Sequence, residues 1–342
     1  MITLDDLEKN DTQKMYKIYD NWPDISEKSY YSDIDEINLE KCSHIVFAGM
    51  GGSGALGDIF SSILSKTNTH VTVVKGYHLP RTVNSESLVV VTSISGNTIE
   101  TISILNEAIK CKSNIIAFSD GGKIKEICLK NNIEHRNIPK YHSPRASFTS
   151  FLYSMLRVLK PILPIQESDI LESIKKLKKI CKNINSSNIS KNNSAIQISD
   201  WLDNSPIIYY PWGLQSVAIR YKNSLQENAK IQAMVEDVIE SSHNGVVGWS
   251  RKNDFQPILL RGKEDYKTTK ERWEILKEFF KLKNIQYNEI ISEDGNILTK
   301  IICLIYLLDY SSIYLAVKFK VDPTPVKEID FVKKRLMNKE SI

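Results

Sequence analysis

The chain is short of the features that most quickly fix a function. Its five cysteines (Cys42, Cys111, Cys128, Cys181 and Cys303) are scattered, odd in number and without metal-ligand spacing. They read as reduced, mostly buried thiols of a cytosolic protein, not as a disulfide framework. Charge bias is nearly absent: 45 basic against 41 acidic residues leave a formal +4, too balanced for a nucleic-acid surface. No apolar run approaches the roughly 20 residues of a membrane span. The richest stretch, 301–308, reads as a buried helix. The opening Met-Ile-Thr-Leu-Asp-Asp is acidic and offers no apolar signal core, so a cytoplasmic location is expected.

Two serine- and glycine-rich loops are present, each between an expected strand and an expected helix. The first reads Gly49-Met50-Gly51-Gly52-Ser53-Gly54 and the second Ser93-Ile94-Ser95-Gly96-Asn97-Thr98. A loop ending at a helix N-terminus aims free backbone N–H groups and the positive end of the helix dipole at its contents. That suits a phosphate. The Ser93, Ser95 and Thr98 hydroxyls add neutral donors, so a phosphorylated small molecule is the expected ligand.

Around these loops, Val/Ile runs alternate with helical patterns, which predicts parallel sheets covered on both faces. Strands are expected at 43–48, 70–74, 87–92 and 114–118, then at 206–211, 257–261 and 286–291. Helices are expected at 4–19, 55–65, 99–110, 167–181, 214–230, 268–282, 296–319 and 326–337, and Pro144-Arg145-Ala146-Ser147 opens a further helical region. Asn97 and Glu100 are spaced as a capping pair for the helix at 99. The polar stretch 183–193 reads as a surface loop or hinge. With 342 residues, two domains of ordinary size are expected, divided as 1–160 and 161–342.

Gly49, Gly51 and Gly54 satisfy the spacing G-x-G-x-x-G. A dinucleotide site also needs an acid at the end of the next strand, and that strand ends in Lys75-Gly76. A P-loop needs Lys-Ser or Lys-Thr after the last glycine, which is missing. A tight turn, with glycines that only relieve crowding, is the plainer alternative.

Together the two loops resemble the sugar isomerase (SIS) fold, in which Ser-x-Ser-Gly-x-Thr grips a sugar phosphate. Gly-Met-Gly-Gly-Ser-Gly, Ser-Ile-Ser-Gly-Asn-Thr-Ile-Glu-Thr and Pro-Arg-Ala-Ser sharpen the likeness to the bifunctional phosphoglucose/phosphomannose isomerases. Glu227-Asn228-Ala229-Lys230, Ser242-His243-Asn244 and the tail from Val321-Asp322-Pro323 through Ile329-Asp330 to Lys333 continue it. The likeness spans nearly the whole chain. It implies an α/β fold of two SIS domains, each a parallel sheet flanked by helices on both faces. It also implies aldose–ketose isomerisation of glucose 6-phosphate and mannose 6-phosphate to fructose 6-phosphate through a cis-enediolate, with no metal and no cofactor.

Such chemistry sets four tasks, and the resemblance assigns residues to them. Gly51, Gly52, Ser53, Ser93, Ser95 and Thr98 hold the phosphate and sugar. Glu227 carries the proton between C2 and C1, since a carboxylate can deliver to either carbon. Arg145, held in a defined turn by Pro144, stabilises the enediolate with a permanent charge. His243 opens the ring and in the family comes from the neighbouring subunit of a homodimer. Lys333 completes the set, although Lys334 and Arg335 adjoin it. Thr324 is a candidate for the small polar residue that lets the C2–C3 bond turn.

Each assignment has a plainer reading from composition alone. Glu227 could be a solvated helix glutamate paired with Lys230, Arg145 a loop cap, His243 a surface residue, and Lys333 part of a solvated basic helix end. The run Lys175-Lys176-Leu177-Lys178-Lys179 reads as the wet face of an amphipathic helix; it lacks interleaved aromatics, which speaks against nucleic acid. Tyr209-Tyr210-Pro211-Trp212 reads as strand end and domain core, with the sugar site as the other option. Two rival functions remain: another SIS-type sugar-phosphate isomerase, and a non-catalytic sugar-phosphate regulator. The first 40 residues carry no basic recognition helix of the kind such a regulator uses.

Overall fold

The computed structural model describes residues 2–39 and 41–339. Three short helices open the chain: α1 (Leu4–Asn10), α2 (Met15–Asp20) and α3 (Trp22–Tyr30). A first α/β unit follows as β1 (His44–Ala48), α4 (Gly51–Leu64), β2 (His70–Val74), β3 (Leu88–Thr92), α5 (Ile99–Lys110), β4 (Asn114–Ser119), α6 (Gly122–Lys130) and β5 (Glu134–Asn137). The helices α7 (Phe148–Val158), α8 (Glu167–Ile184) and α9 (Ser194–Trp201) lead to a second unit. It runs β6 (Pro206–Tyr210), α10 (Gln215–Ser224), β7 (Met234–Asp237), α11 (Val238–Ser241), β8 (Gln256–Arg261), α12 (Lys267–Leu282) and β9 (Asn288–Ile291). The described chain ends with α13 (Ile297–Lys318) and α14 (Lys327–Lys339).

Both sheets are wholly parallel, ordered β2-β1-β3-β4-β5 and β7-β6-β8-β9. Because side chains alternate along a strand, each sheet serves two cores. Ile45, Phe47, Leu88 and Val90 face the helices between the sheets, together with Ile208, Tyr210, Ile258 and Leu260 of the second sheet. Val46, Ala48, Val89 and Val91 face outward and are covered by Ile104, Leu105, Ile124 and Cys128 of α5 and α6. On the second sheet Ile207, Tyr209 and Leu259 are covered by Trp249, Trp273 and Phe280. This is the α/β arrangement that the run pattern predicts.

The apolar helix α13 lies in the shared core. It is long and apolar enough to cross a membrane by length and composition, which the reading of its apolar runs did not anticipate, but 89% of its apolar window is buried against protein. Its Tyr306 donates to the Tyr19 carbonyl at 2.8 Å, and the Tyr306 ring stacks on Trp22. The leading helices therefore pack onto the last core helix.

Local chemistry changes several expected elements. The helix at 4–19 breaks in two. Asp11 is fully buried and its Oδ2 accepts from the Tyr16 N–H at 2.7 Å, so a side chain competes with the helical ladder. Lys14 then takes φ 53°. The elements α3, α6, α9, α11, β5 and β7 are additional to those expected. Asn193, expected in a surface stretch, is buried and caps α9 by accepting from Ala195 and Ile196 N–H. All five cysteines are free, but only Cys128 and Cys303 are buried, so the thiols are not mostly buried.

Candidate active site

The glycine loop leaves the end of β1 and enters α4 at once: the helix begins at Gly51, four residues before its expected start at 55. A Cβ on Gly52 would stand 3.5 Å from Nη1 of Arg220 and 3.8 Å from the Pro144 carbonyl oxygen. These are ordinary contact distances, and they place the loop against two arginine-bearing segments. Ser53 is buried, and its Oγ accepts from the Ile94 N–H at 3.3 Å. That contact joins the first loop to the second.

In the second loop, Gly96 takes φ +68°, and a Cβ there would collide with the Gly121 carbonyl oxygen. Only glycine allows the β3 and β4 loops to cross so closely. Ser93 is buried and shares a 2.9 Å hydrogen bond with the Thr98 hydroxyl, while Ser95 lies exposed at the tip. The expected Asn97–Glu100 capping pair does not form. Thr98 is the N-cap residue of α5 and makes no side-chain cap. Asn97 turns away, and its Oδ1 accepts from the Lys123 N–H at 3.1 Å; Glu100 accepts from the Tyr77 hydroxyl at 3.2 Å. The first turn of α5 thus has no side chain capping it, as an anion-binding helix end requires.

Beyond α10 the backbone widens into a π turn, Leu225–Ala229, closed by Lys230 at φ 60°. Such turns insert an extra residue into a helix and recur at functional sites. This one carries Glu227 and Asn228, where the sequence pattern predicts regular helix to 230. Arg145, only 4% exposed, reaches both. Its Nη1 donates to Glu227 Oε2 at 3.2 Å and its Nε to Asn228 Oδ1 at 2.7 Å. Its Nη2 donates to the carbonyls of Pro323 and Thr324 at 2.6 and 2.9 Å. The guanidinium is therefore fixed on three sides.

Glu227 is not paired with Lys230 through its carboxylate, as the plainer reading has it. The Lys230 ammonium donates to the Glu227 backbone carbonyl and, at 3.3 Å, to that of Pro323. Burial, then the charge of Arg145, lowers the Lys230 pKa. The Thr324 hydroxyl is buried without a hydrogen-bond partner among the described residues.

A second, fully buried ion pair supports this group. Arg220 donates to Asp309 Oδ2 at 2.9 and 2.6 Å, and Ser224 donates to Asp309 Oδ1 at 2.5 Å. Arg220 also donates to the Arg145 carbonyl at 2.9 Å and packs over the Phe148 ring at 4.4 Å. Burial pushes the Asp309 pKa up, against the opposing charge of Arg220. The sequence analysis missed this pair, yet a signal was there: Asp309 is the sole charged residue between Lys300 and Lys318. A lone acid in an apolar helix needs a buried partner.

Gly52, Ser53, Arg145 and Glu227 are thus brought together, with Ser93 and Thr98 joined through the Ser53–Ile94 contact. His243 and Lys333 are not brought into this group. His243 is exposed beyond α11, and its ring has no hydrogen-bond partner among the described residues. Lys333 is exposed on α14.

Comparison with known proteins gives the family of the chain. Residues 38–155 match the SIS domain, and residues 191–336 match the bacterial phospho-glucose isomerase C-terminal SIS domain. The chain is 33% identical to a bifunctional phosphoglucose/phosphomannose isomerase of Caldicellulosiruptor bescii, over 94% of this chain and 98% of that one. It belongs to the bifunctional phosphoglucose/phosphomannose isomerase family. A second member, from Aquifex aeolicus, is 30% identical over 95% of this chain and 98% of its own. The fold alone is shared with tagatose-6-phosphate ketose/aldose isomerase from Escherichia coli, at TM-score 0.65 and 14% identity, covering 94% of each chain. In this isomerase-family chain both SIS units are parallel sheets with helices on either face.

Proposed function

We infer that this protein is an aldose–ketose isomerase that interconverts glucose 6-phosphate and mannose 6-phosphate with fructose 6-phosphate. Family membership and the pairing of Arg145 with Glu227 beside the glycine loop support that reading. Glucose and mannose differ at C2 alone, so both give the same intermediate once C2 becomes planar.

Each step follows from the chemistry of the placed groups. The Ser95 and Thr98 hydroxyls and the free N–H groups of α5 grip the phosphate, assisted by the Gly51–Gly52–Ser53 turn. This handle orients a distant carbon and lowers the entropy cost of reaction. Glu227 takes the proton from C2 and returns it to C1. Arg145, with its charge fixed by Asn228 and two carbonyls, stabilises the enediolate without reorganising; one preorganised donor of this kind is worth roughly 3–4 kcal/mol. Arg220 and Asp309 act through Arg145 and are positioning residues.

His243 opens the sugar ring as acid and base. Its exposure, with no partner in its own chain among the described residues, favours delivery from a second copy. A homodimer is accordingly the working state, and exposed Phe331 and Val332 of α14 suit burial against that copy. Lys333 on the same helix joins the site. We take 1–160 and 161–342 as the two units and the cytoplasm as the location. A coupled assay of the purified protein with each hexose 6-phosphate tests the function. Turnover of both supports it, and turnover of neither overturns it.

A further inference from the structure

The two α/β units carry the same strand order, with β6, β7, β8 and β9 in the places of β1, β2, β3 and β4. The helices that follow the matching strands β1 and β6, α4 and α10, pack side by side and run in opposite directions. At one end, Gly52 at the start of α4 lies beside Arg220. At the other, Ser62 Oγ near the end of α4 lies 3.3 Å from Ser216 Oγ at the start of α10. A pseudo-twofold relation therefore pairs the glycine loop with the turn Pro211–Gly213. Gly52 and Ser62 are ten residues apart on one helix, or about 15 Å.

The turn of the second unit opens on a cleft of about 230 Å³, with Asp58, Ser61, Ser65, Gln215 and Ser216 along it. Trp212 stands at its mouth with 66% of its surface exposed. This corrects the expectation that Trp212 belongs to the domain core; its neighbours Tyr209 and Tyr210 do. None of the cleft's side chains belongs to the group around Glu227. A groove of that volume has room for an occupant of monosaccharide size.

Its chemistry differs from that of the first site in one decisive way. Among the described residues that line the cleft, the one charged side chain, Asp58, is already ion-paired with Lys75 at 2.5 Å. No lysine, arginine or histidine is among the described residues that line it. The loop after β8, Gly262-Lys263-Glu264-Asp265-Tyr266, replaces the hydroxyl-rich loop after β3. In it Asp265 turns its own carboxylate onto the Gly262 N–H at 3.1 Å. That loop lies outside the lining of the cleft and brings no phosphate-binding hydroxyls to it. What remains is an aromatic face with hydroxyl, amide and carboxylate groups beside it. That set matches the apolar face and hydroxyl rim of an uncharged sugar.

We propose that this cleft binds a neutral hexose or polyol, its ring or chain laid on Trp212, at a site separate from the isomerisation site. The full-length protein, saturated with fructose 6-phosphate to fill the first site, is titrated with D-glucose and with sorbitol. Saturation-transfer NMR reads the sugar C–H signals. The expected result is a saturable signal from at least one of the two probes. Trp212→Ala weakens it at least tenfold, Ser65→Trp (which fills the cleft from α4) does the same, and the double variant Ser95→Ala/Thr98→Ala leaves it unchanged. Both cleft variants keep wild-type turnover of glucose 6-phosphate, which shows that they fold.

The proposal is overturned if neither probe gives a signal, or if the signal survives both cleft variants. It is overturned equally if the Ser95/Thr98 variant removes the signal, since the sugar then sits in the first site. Dissociation of a dimer by Trp212→Ala in sedimentation would also overturn it, because the cleft would then be a subunit contact.

Discussion

Arg220 Nη2 donates to the backbone carbonyl of Arg145 at 2.9 Å, while that same nitrogen and Nε are held by Asp309. One buried arginine thus fixes the main chain of another. Asp309→Asn leaves the Arg220 charge buried without its counter-ion, at a cost of about 3–5 kcal/mol. Chemical denaturation should show that loss. Arg220→Lys, which keeps the charge but not the fork, should lower kcat more than it raises KM. Equal stability of wild type and Asp309→Asn would contradict the pairing.

Arg145→Lys should reduce kcat by roughly a hundred- to a thousandfold, with a smaller change in KM. A lysine keeps one positive charge but cannot reach Asn228, Glu227 and two carbonyls together. Steady-state kinetics on fructose 6-phosphate measures this. A mutant that loses only substrate affinity would place Arg145 in binding and not in enediolate stabilisation.

Much of this organisation is readable in the sequence. The Val/Ile runs at β1 and β3 and the glycine and serine loops mark the parallel sheets and the proposed phosphate end of the site, because a covered strand and a helix-entry turn leave local patterns. The π turn at Leu225–Ala229 leaves no such pattern, so Glu227 and Asn228 read as ordinary helix. Capping of α5 misleads for a similar reason: Asn97 has the right spacing, but the crossing of Gly96 and Gly121 directs it to Lys123. Strands β5 and β7 are short edge strands whose residues are only partly buried, and they carry little alternation. The Arg220–Asp309 pair joins residues 89 positions apart, a separation no local pattern spans.

Ser95→Ala and Thr98→Ala should each raise KM for the sugar phosphate about tenfold or more. A hydrogen bond to a charged group contributes roughly 1.5–3 kcal/mol. Thr98→Ala also removes the partner of buried Ser93, so it should cost some stability, whereas exposed Ser95→Ala should cost little. Unchanged KM in both would remove the second loop from phosphate binding.

His243→Ala should slow turnover of the closed-ring sugar far more than that of an open-chain analogue. Mixing it with Glu227→Gln tests delivery across subunits. If His243 acts in trans, mixed dimers regain a wild-type-like site and activity rises above that of either variant alone. No recovery on verified subunit exchange would put His243 in its own chain's site or outside the mechanism.

Burial lowers the pKa of His44, His135 and His142 below the usual histidine value; the neighbouring charge of His70 assists at His44, and that of Lys125 at His135. All three therefore take up protons less readily in the fold than in the unfolded chain, where they protonate near pH 6.5 and below. The unfolded state then binds more protons, so stability rises with pH through this range and is lost on acidification. Urea midpoints at pH 5.5 and 7.5 should differ, the lower pH giving the lower midpoint. A midpoint that rises on acidification would contradict the lowered pKa values.

The most direct measurement follows hydrogen exchange at C2 of glucose 6-phosphate in D2O by NMR, for wild type, Glu227→Asp and Glu227→Gln. With Glu227 as the shuttle, wild type exchanges, Glu227→Asp exchanges slowly, and Glu227→Gln binds the sugar phosphate but exchanges nothing above background. Exchange by Glu227→Gln at the wild-type rate would contradict it.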